Sequence, residues 1–197
     1  MLFELHPVAA ATNWFDAERD GAKKMRIYCS RCHTAEYTAT ITATDPGAVE
    51  FEPGSLSSTT GFSDCLLVRA GVERGDIVLA DTAAEIVYRI ALEADAAITV
   101  IDGFAHRSAA WTAIREYPPS PAIETTDVLS HLAKRLREHG VHVHLVPFGW
   151  SKSWEADPLD DPRSQHVIDL AIGNEPVVWS AADIGGWNSR CGLLFRP

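Results

Sequence analysis

Long apolar runs are missing from this chain. A membrane helix needs roughly 18 consecutive apolar residues; the best stretch here, residues 96–105, is interrupted by Asp102. Positive charge is also scarce, with a formal net charge of −10 and a pI near 5.2. That balance excludes a general nucleic-acid binder, which presents a broad basic surface. A local basic patch remains compatible with it, and its candidates are Lys23, Lys24, Arg26, Lys134, Arg135, Arg137 and Arg163. Cysteine is sparse: Cys29, Cys32, Cys65 and Cys191. The opening Met-Leu-Phe-Glu-Leu-His has neither the basic start nor the apolar core of a signal peptide, which predicts a cytoplasmic protein with free thiols. A phosphate-binding glycine loop and a Gly-x-Ser-x-Gly elbow are absent, which removes the commonest nucleotide-binding and serine-hydrolase readings.

What is present describes a globular domain. The hydrophobic fraction is 46% and the charged fraction 22%, and 197 residues suffice to bury one core. Residues 1–24 lack a clean period and are expected to form an extension. Strands are predicted at 26–30, in the Thr-rich alternation of 36–44, at 65–69, in the apolar run 97–101 and at 141–146. Between the second and third lies a Pro-, Gly- and Ser-rich loop, residues 45–63. Helices are predicted over 80–94, around 108–115 and over 128–139, the last capped by Thr126-Asp127 and stopped by Gly140. A short element is expected at 165–171, and residues 173–197 form a tail. The pattern is α/β: a mixed β-sheet packed with helices, over residues 25–172.

Lysine is rarer than arginine, and one of the few lysines stands in unusual company. In Val146-Pro147-Phe148-Gly149-Trp150-Ser151-Lys152-Ser153-Trp154-Glu155, Lys152 sits between two tryptophans just after a strand. Pro147 ends the ladder because it has no N–H, and Gly149 permits a sharp turn. An ammonium placed so is a candidate for a cleft, where it acts on an anion, a water or a carbonyl. The competing reading is a snorkelling lysine whose stem covers Trp150 or Trp154. A second strand end, Asp102-Gly103-Phe104-Ala105-His106-Arg107-Ser108, also carries polar residues.

At these two strand ends the chain resembles the editing domain of archaeal-type threonyl-tRNA synthetases, a relative of the D-aminoacyl-tRNA deacylase fold. The matching pieces are Met25-Arg26-Ile27 leading to Glu36-Tyr37, then Phe104-Ala105-His106-Arg107-Ser108, then Pro147 to Lys152, in that order over about residues 25 to 160. The resemblance implies hydrolysis of the ester of a wrongly attached amino acid, typically serine, from tRNA for threonine. It implies no metal or other cofactor, assistance from the 2′-hydroxyl of the terminal adenosine, and a homodimer. By the same resemblance Lys152 and His106 are the functional residues. Phe148, Gly149, Trp150, Ser151, Phe104 and Ala105 line the substrate, and Asp160 or Asp161 stands in for the family's acidic residue. The sequence departs from the family at Ser151, where a tyrosine is common, and in a shortened following segment. Without the synthetase body, the expected protein is a free-standing deacylase that meets the aminoacyl-tRNA acceptor end in trans, away from any membrane.

Two rivals belong to other classes. One is a non-catalytic module that binds a free amino acid or related small molecule in the same pocket. The other is a zinc protein organised on Cys29, Cys32 and His33, half of a metal site by spacing. His142 and His144, two apart on a strand, invite a metal as well, but lack an evident third ligand. His106 itself reads equally as a functional group, holding the ribose or the substrate amine or acting as a general base suited to neutral pH, or as a strand-end histidine bonded to a backbone carbonyl.

Overall fold

The computed structural model describes residues 24–41, 58–105 and 121–182. Seven strands form one mixed sheet: β1 (Lys24–Ile41), β2 (Thr59–Val72), β3 (Ile98–Ala105), β4 (Val143–Leu145), β5 (Ser151–Pro158), β6 (Gln165–Ala171) and β7 (Val177–Ser180). Two helices, α1 (Ala80–Ala94) and α2 (Pro121–Glu138), join the parallel strands β2, β3 and β4. The remaining pairings are antiparallel, and the order is β4-β3-β2-β1-β6-β7. The expected α/β class with a mixed sheet is what the chain forms.

The two strands predicted at 26–30 and 36–44 are one long strand. Residues 31–35 contain no proline or glycine to break the ladder, and the irregularity is absorbed by a register shift between Cys32 and Thr34. One edge of β1 serves two partners in succession: residues 24–30 pair with β6 and residues 32–41 with β5. Strand β2 also begins earlier than expected, at Thr59, so the end of the predicted loop is ladder. Its exposure alternates in the first half and is almost continuously buried in the second, where β1 and β3 flank it and both faces are covered.

Helix α2 starts at Pro121, well before the predicted Thr126-Asp127 cap. Proline suits a first helical turn, where its missing N–H costs nothing and its fixed φ is already helical. Its end matches the expectation. Gly140 has φ +83°, its N–H donates to Arg137 O at 2.9 Å, and Val141 N–H donates to Leu136 O at 3.0 Å. These two bonds make a Schellman ending. Helix α1 ends at Asp95, and the Arg31 guanidinium donates to Ala94 O at 2.9 Å, satisfying a carbonyl that the helix leaves open.

Both helices cover one face of the sheet. Leu66, Val68, Ile101 and Ile27 point to that side and pack with Val87, Ile90, Leu129, Leu132 and Leu136. The alternate residues Cys65, Leu67 and Val100 face the other way and join Cys32, Ala35, Tyr37 and Val146 in a second cluster, flanked by Phe62 and Trp154. The later half of β1, the start of β2 and β5 supply those flanking aromatics. Residues 177–180, assigned by sequence to a separate tail, extend the sheet beyond β6. The expected helix at 108–115, most of the 45–63 loop and all but the last residue of the 1–24 extension lie outside the described residues; that last residue, Lys24, opens β1. Among the described residues no helix is long and apolar enough to cross a membrane.

Candidate functional site

Asp102 is register partner to Arg69 on the neighbouring parallel strand, and both point away from the helices. The next residue, Gly103, points towards α2, where a Cβ would lie 2.0 Å from Leu129 Cδ1. Only glycine lets β3 approach α2 this closely, and that approach sets the depth of Asp102. Gly71 plays a similar part beside Phe104: a Cβ there would meet the ring at 2.9 Å. After β4 the chain turns through Pro147–Trp150, with Gly149 at φ +89°, and enters β5 carrying Lys152. The sequence places Lys152 just past a strand end; it is the second residue of the next strand, opposite Ala39 of β1.

These elements enclose a cleft of about 250 Å3 lined by Arg69, Asp102, Gly103, Phe104, Phe148, Gly149, Trp150, Lys152 and Trp154. The Lys152 side chain is 7% exposed and that of Asp102 3%. Lys152 Nζ stands 3.0 Å from Asp102 Oδ1 and donates to Pro147 O at 2.9 Å. Arg69 Nε approaches Asp102 Oδ2 at 3.5 Å, and its guanidinium lies 5.9 Å from the centre of the Phe104 ring. Two cations thus share one buried carboxylate. The Lys152 contact is ionic and off the hydrogen-bonding direction, so among the described residues Asp102 Oδ1 receives no well-aligned hydrogen bond. An ammonium has three N–H donors; one goes to Pro147 O, and another can serve a ligand while the charge stays beside Asp102.

Trp154 forms the wall between the cleft and an aromatic cluster. Its ring lies 5.2 Å from that of Tyr37, whose hydroxyl is 3.3 Å from His144 Nε2. Phe62 stacks on Tyr37 at 6.3 Å and meets His144 at 4.8 Å. Burial, followed by the charges of Arg137 and His142, holds the His144 imidazole below its ordinary pKa and so favours the neutral ring. The indole Nε1 of Trp154 is buried and has no hydrogen-bond acceptor among the described residues. A buried donor without an acceptor is costly unless a water or ligand supplies one.

Of the residues singled out from sequence, the fold brings Lys152, Phe148, Gly149, Trp150 and Phe104 to one cleft. Phe148 is 7% exposed and also belongs to the helix-side core, so it forms the floor of the cleft. His106 lies outside the described residues, one position beyond the end of β3. Ala105 is the last residue of β3 and Ser151 the first of β5. Asp161 is elsewhere: it is the exposed N-cap of a short 3-10 helix at Pro162–Ser164, accepting from Arg163 N at 2.9 Å. The acidic partner of Lys152 is instead Asp102, which the sequence presents merely as a break in an apolar strand. An acid inside such a run was the available signal, because a carboxylate on a central strand must find a cation. Trp154 and Arg69 were missed as well.

Other sequence candidates resolve differently. Cys29 lies in the helix-side core and Cys32 in the cluster on the opposite face, while His33 is exposed. Ligands on two faces of one sheet cannot meet at an ion, so the zinc reading is withdrawn. No group of three or more His, Cys, Asp or Glu side chains suited to a metal occurs among the described residues, His142 and His144 included. Several basic-patch candidates have intramolecular partners: Arg26 with Asp169 at 2.6 Å, Arg135 with Glu138 at 2.7 Å, and Arg137 with Val143 O at 3.1 Å. No known family model matches the chain, and no curated protein is significantly similar to it.

Proposed function

We propose that this domain hydrolyses the ester linking a wrongly attached amino acid to tRNA, of the seryl-tRNA(Thr) kind or a close relative, on a D-aminoacyl-tRNA deacylase-like fold. The observation that carries the reading is the buried Lys152–Asp102 pair, 3.0 Å apart in a cleft of about 250 Å3. An aminoacyl ester is already activated, so catalysis needs mainly a positioned water and a stabilised oxyanion. A Lys152 N–H not used by Pro147 O donates to the ester carbonyl oxygen as negative charge develops there. Asp102 Oδ1 accepts a hydrogen bond from the attacking water, and the ribose hydroxyl leaves with the 2′-hydroxyl beside it assisting. The part of His106, to hold the ribose, rests on the resemblance alone. The aromatic walls of Phe104, Trp150 and Trp154 keep bulk water from the carbonyl and strengthen each charge interaction.

A second reading has its own support. Two cations beside one carboxylate suit a zwitterion, so the same cleft is also fitted to hold a free amino acid without chemistry. Labelled mischarged tRNA separates the two. Deacylase activity predicts release of amino acid that falls by about 10²–10³ in Lys152→Ala, the usual loss for one oxyanion donor. Tight binding of free amino acid with no release above the buffer rate would establish the binding module instead.

A further inference from the structure

Cys32 and Cys65 are direct register partners on the antiparallel strands β1 and β2. Both side chains belong to the cluster on the face away from the helices, and neither residue is more than 1% exposed. Directly opposed residues in an antiparallel pair have Cα atoms about 4.5 or 5.5 Å apart and Cβ atoms about 4.5–5.5 Å apart. A disulfide accepts Cα separations of about 4.4–6.8 Å and Cβ separations of about 3.5–4.5 Å. Closing the bond therefore asks for an approach on the order of an ångström and no change of register. The site is also where β1 leaves β6 and takes up β5, with a register shift between Cys32 and Thr34 that gives the strand room to adjust.

The geometry points to a reversible disulfide between Cys32 and Cys65, formed by a small peroxide and opened by a thiol reductant. Electrostatics favour the same pair over the chain's other described thiol. Cys32 S–H donates to Ser30 O at 3.5 Å with the Cys65 residue directly opposite, and the Arg31 guanidinium lies beside both strands, donating to Cys32 O at 3.2 Å and pairing with Asp64. The adjacent Cys32 thiol, and then the Arg31 cation, hold the Cys65 thiol below its ordinary pKa, while the Cys32 thiol is raised. Cys29 is the internal contrast: in the helix-side core, burial alone pushes it up to about 12 and leaves it inert.

The chemistry balances in two steps. The Cys65 thiolate attacks one peroxide oxygen, so an S–O bond forms and the O–O bond breaks. Hydroxide leaves and takes a proton as water, and Cys65 becomes a sulfenic acid. The Cys32 sulfur then attacks the Cys65 sulfur. The S–S bond forms, the S–O bond breaks, and the hydroxyl departs as water with the Cys32 proton. Two sulfurs are oxidised by one electron each, and the two peroxide oxygens are reduced. Burial makes the reaction slow, because peroxide enters only through local opening beside the exposed residues His33, Thr34, Ser63 and Asp64. The bridge closes a loop over residues 33–64 and ties the later half of β1 to β2.

The test is peroxide treatment of the full chain, followed by intact mass and non-reduced peptide mapping. The expected result is a loss of about 2 Da, a single bridged peptide pair containing Cys32 and Cys65, recovery with dithiothreitol, and a higher Tm for the oxidised form. Cys32→Ser and Cys65→Ser each abolish the mass loss, and Cys191→Ser leaves it intact. Mapping of the wild type stands even where a serine variant folds poorly. A bridge through Cys29 or Cys191, oxidation that stops at an unbridged Cys65, or no mass change after prolonged peroxide overturns the assignment.

Discussion

Lys152 and Asp102 face each other at 3.0 Å from strands that are not neighbours: β5 pairs with β1, and β3 lies between β2 and β4. The ion pair therefore spans the cleft, and the proposed site exists only while β5 stays in place over the ends of β2 and β3. Removing one member of a buried pair leaves the other charge uncompensated, at roughly 3–5 kcal/mol. The two members are unequal here. Lys152→Ala leaves Asp102 with Arg69, whereas Asp102→Ala leaves two cations facing each other. Urea unfolding should therefore show Asp102→Ala as the more destabilised variant; equal losses would mean Arg69 contributes nothing to the carboxylate.

Gly103 should tolerate no side chain. A Cβ 2.0 Å from Leu129 Cδ1 forces α2 away from β3, and overpacking of this kind costs about 1–3 kcal/mol. Gly103→Ala should lower stability by that amount and also weaken the cleft, because Asp102 is the adjacent residue. Leu129→Ala in the same chain should recover part of the loss. Strict additivity of the two substitutions in a double-mutant cycle would count against the contact.

Trp154→Phe separates packing from hydrogen bonding. The ring face against Tyr37 is kept, and a buried N–H that lacks an acceptor among the described residues is removed. Stability should hold or rise slightly. If a ligand accepts that N–H, its affinity should fall by roughly 2- to 12-fold, the worth of one net hydrogen bond. Unchanged affinity measured by titration calorimetry would place the indole outside recognition.

Acid should weaken the fold through His144. Its folded-state pKa is depressed below the ordinary 6.5 by burial first, so the unfolded chain binds the proton more readily. Stability then rises with pH wherever the unfolded state holds more protons. This contribution is intact above pH 6.5 and is lost as pH falls from there through the lower, folded-state value. In His144→Gln the decline of Tm over that window should be shallower than in the wild type; identical profiles would assign the acid sensitivity to other groups.

Much of the backbone was legible one residue at a time. Alternation and apolar runs marked segments of β1, β2, β3 and β4, the period of 80–94 marked α1, and Gly140 marked the end of α2. These signals are local: a side chain's face follows from its position in a strand or helix. The same rule already separates Cys29 from Cys32, three apart, once residues 24–41 are one strand. Lys152 stood out because an ammonium among tryptophans is unusual in any context. Its partner did not, since nothing in the order of residues says that Lys152 of β5 will meet Asp102 of β3.

By itself the sequence determined the α/β class, most of the element order and the presence of a cation after the fourth strand, because propensity, period and turn chemistry act over a few neighbouring residues. The tertiary structure alone decided that Lys152 meets Asp102 rather than Asp161, that Arg69 and Trp154 complete the cleft, and that Cys32 stands opposite Cys65. Those pairings depend on sheet order and register. Both are set by which buried faces fit together across the whole chain, and no short window of residues contains that information.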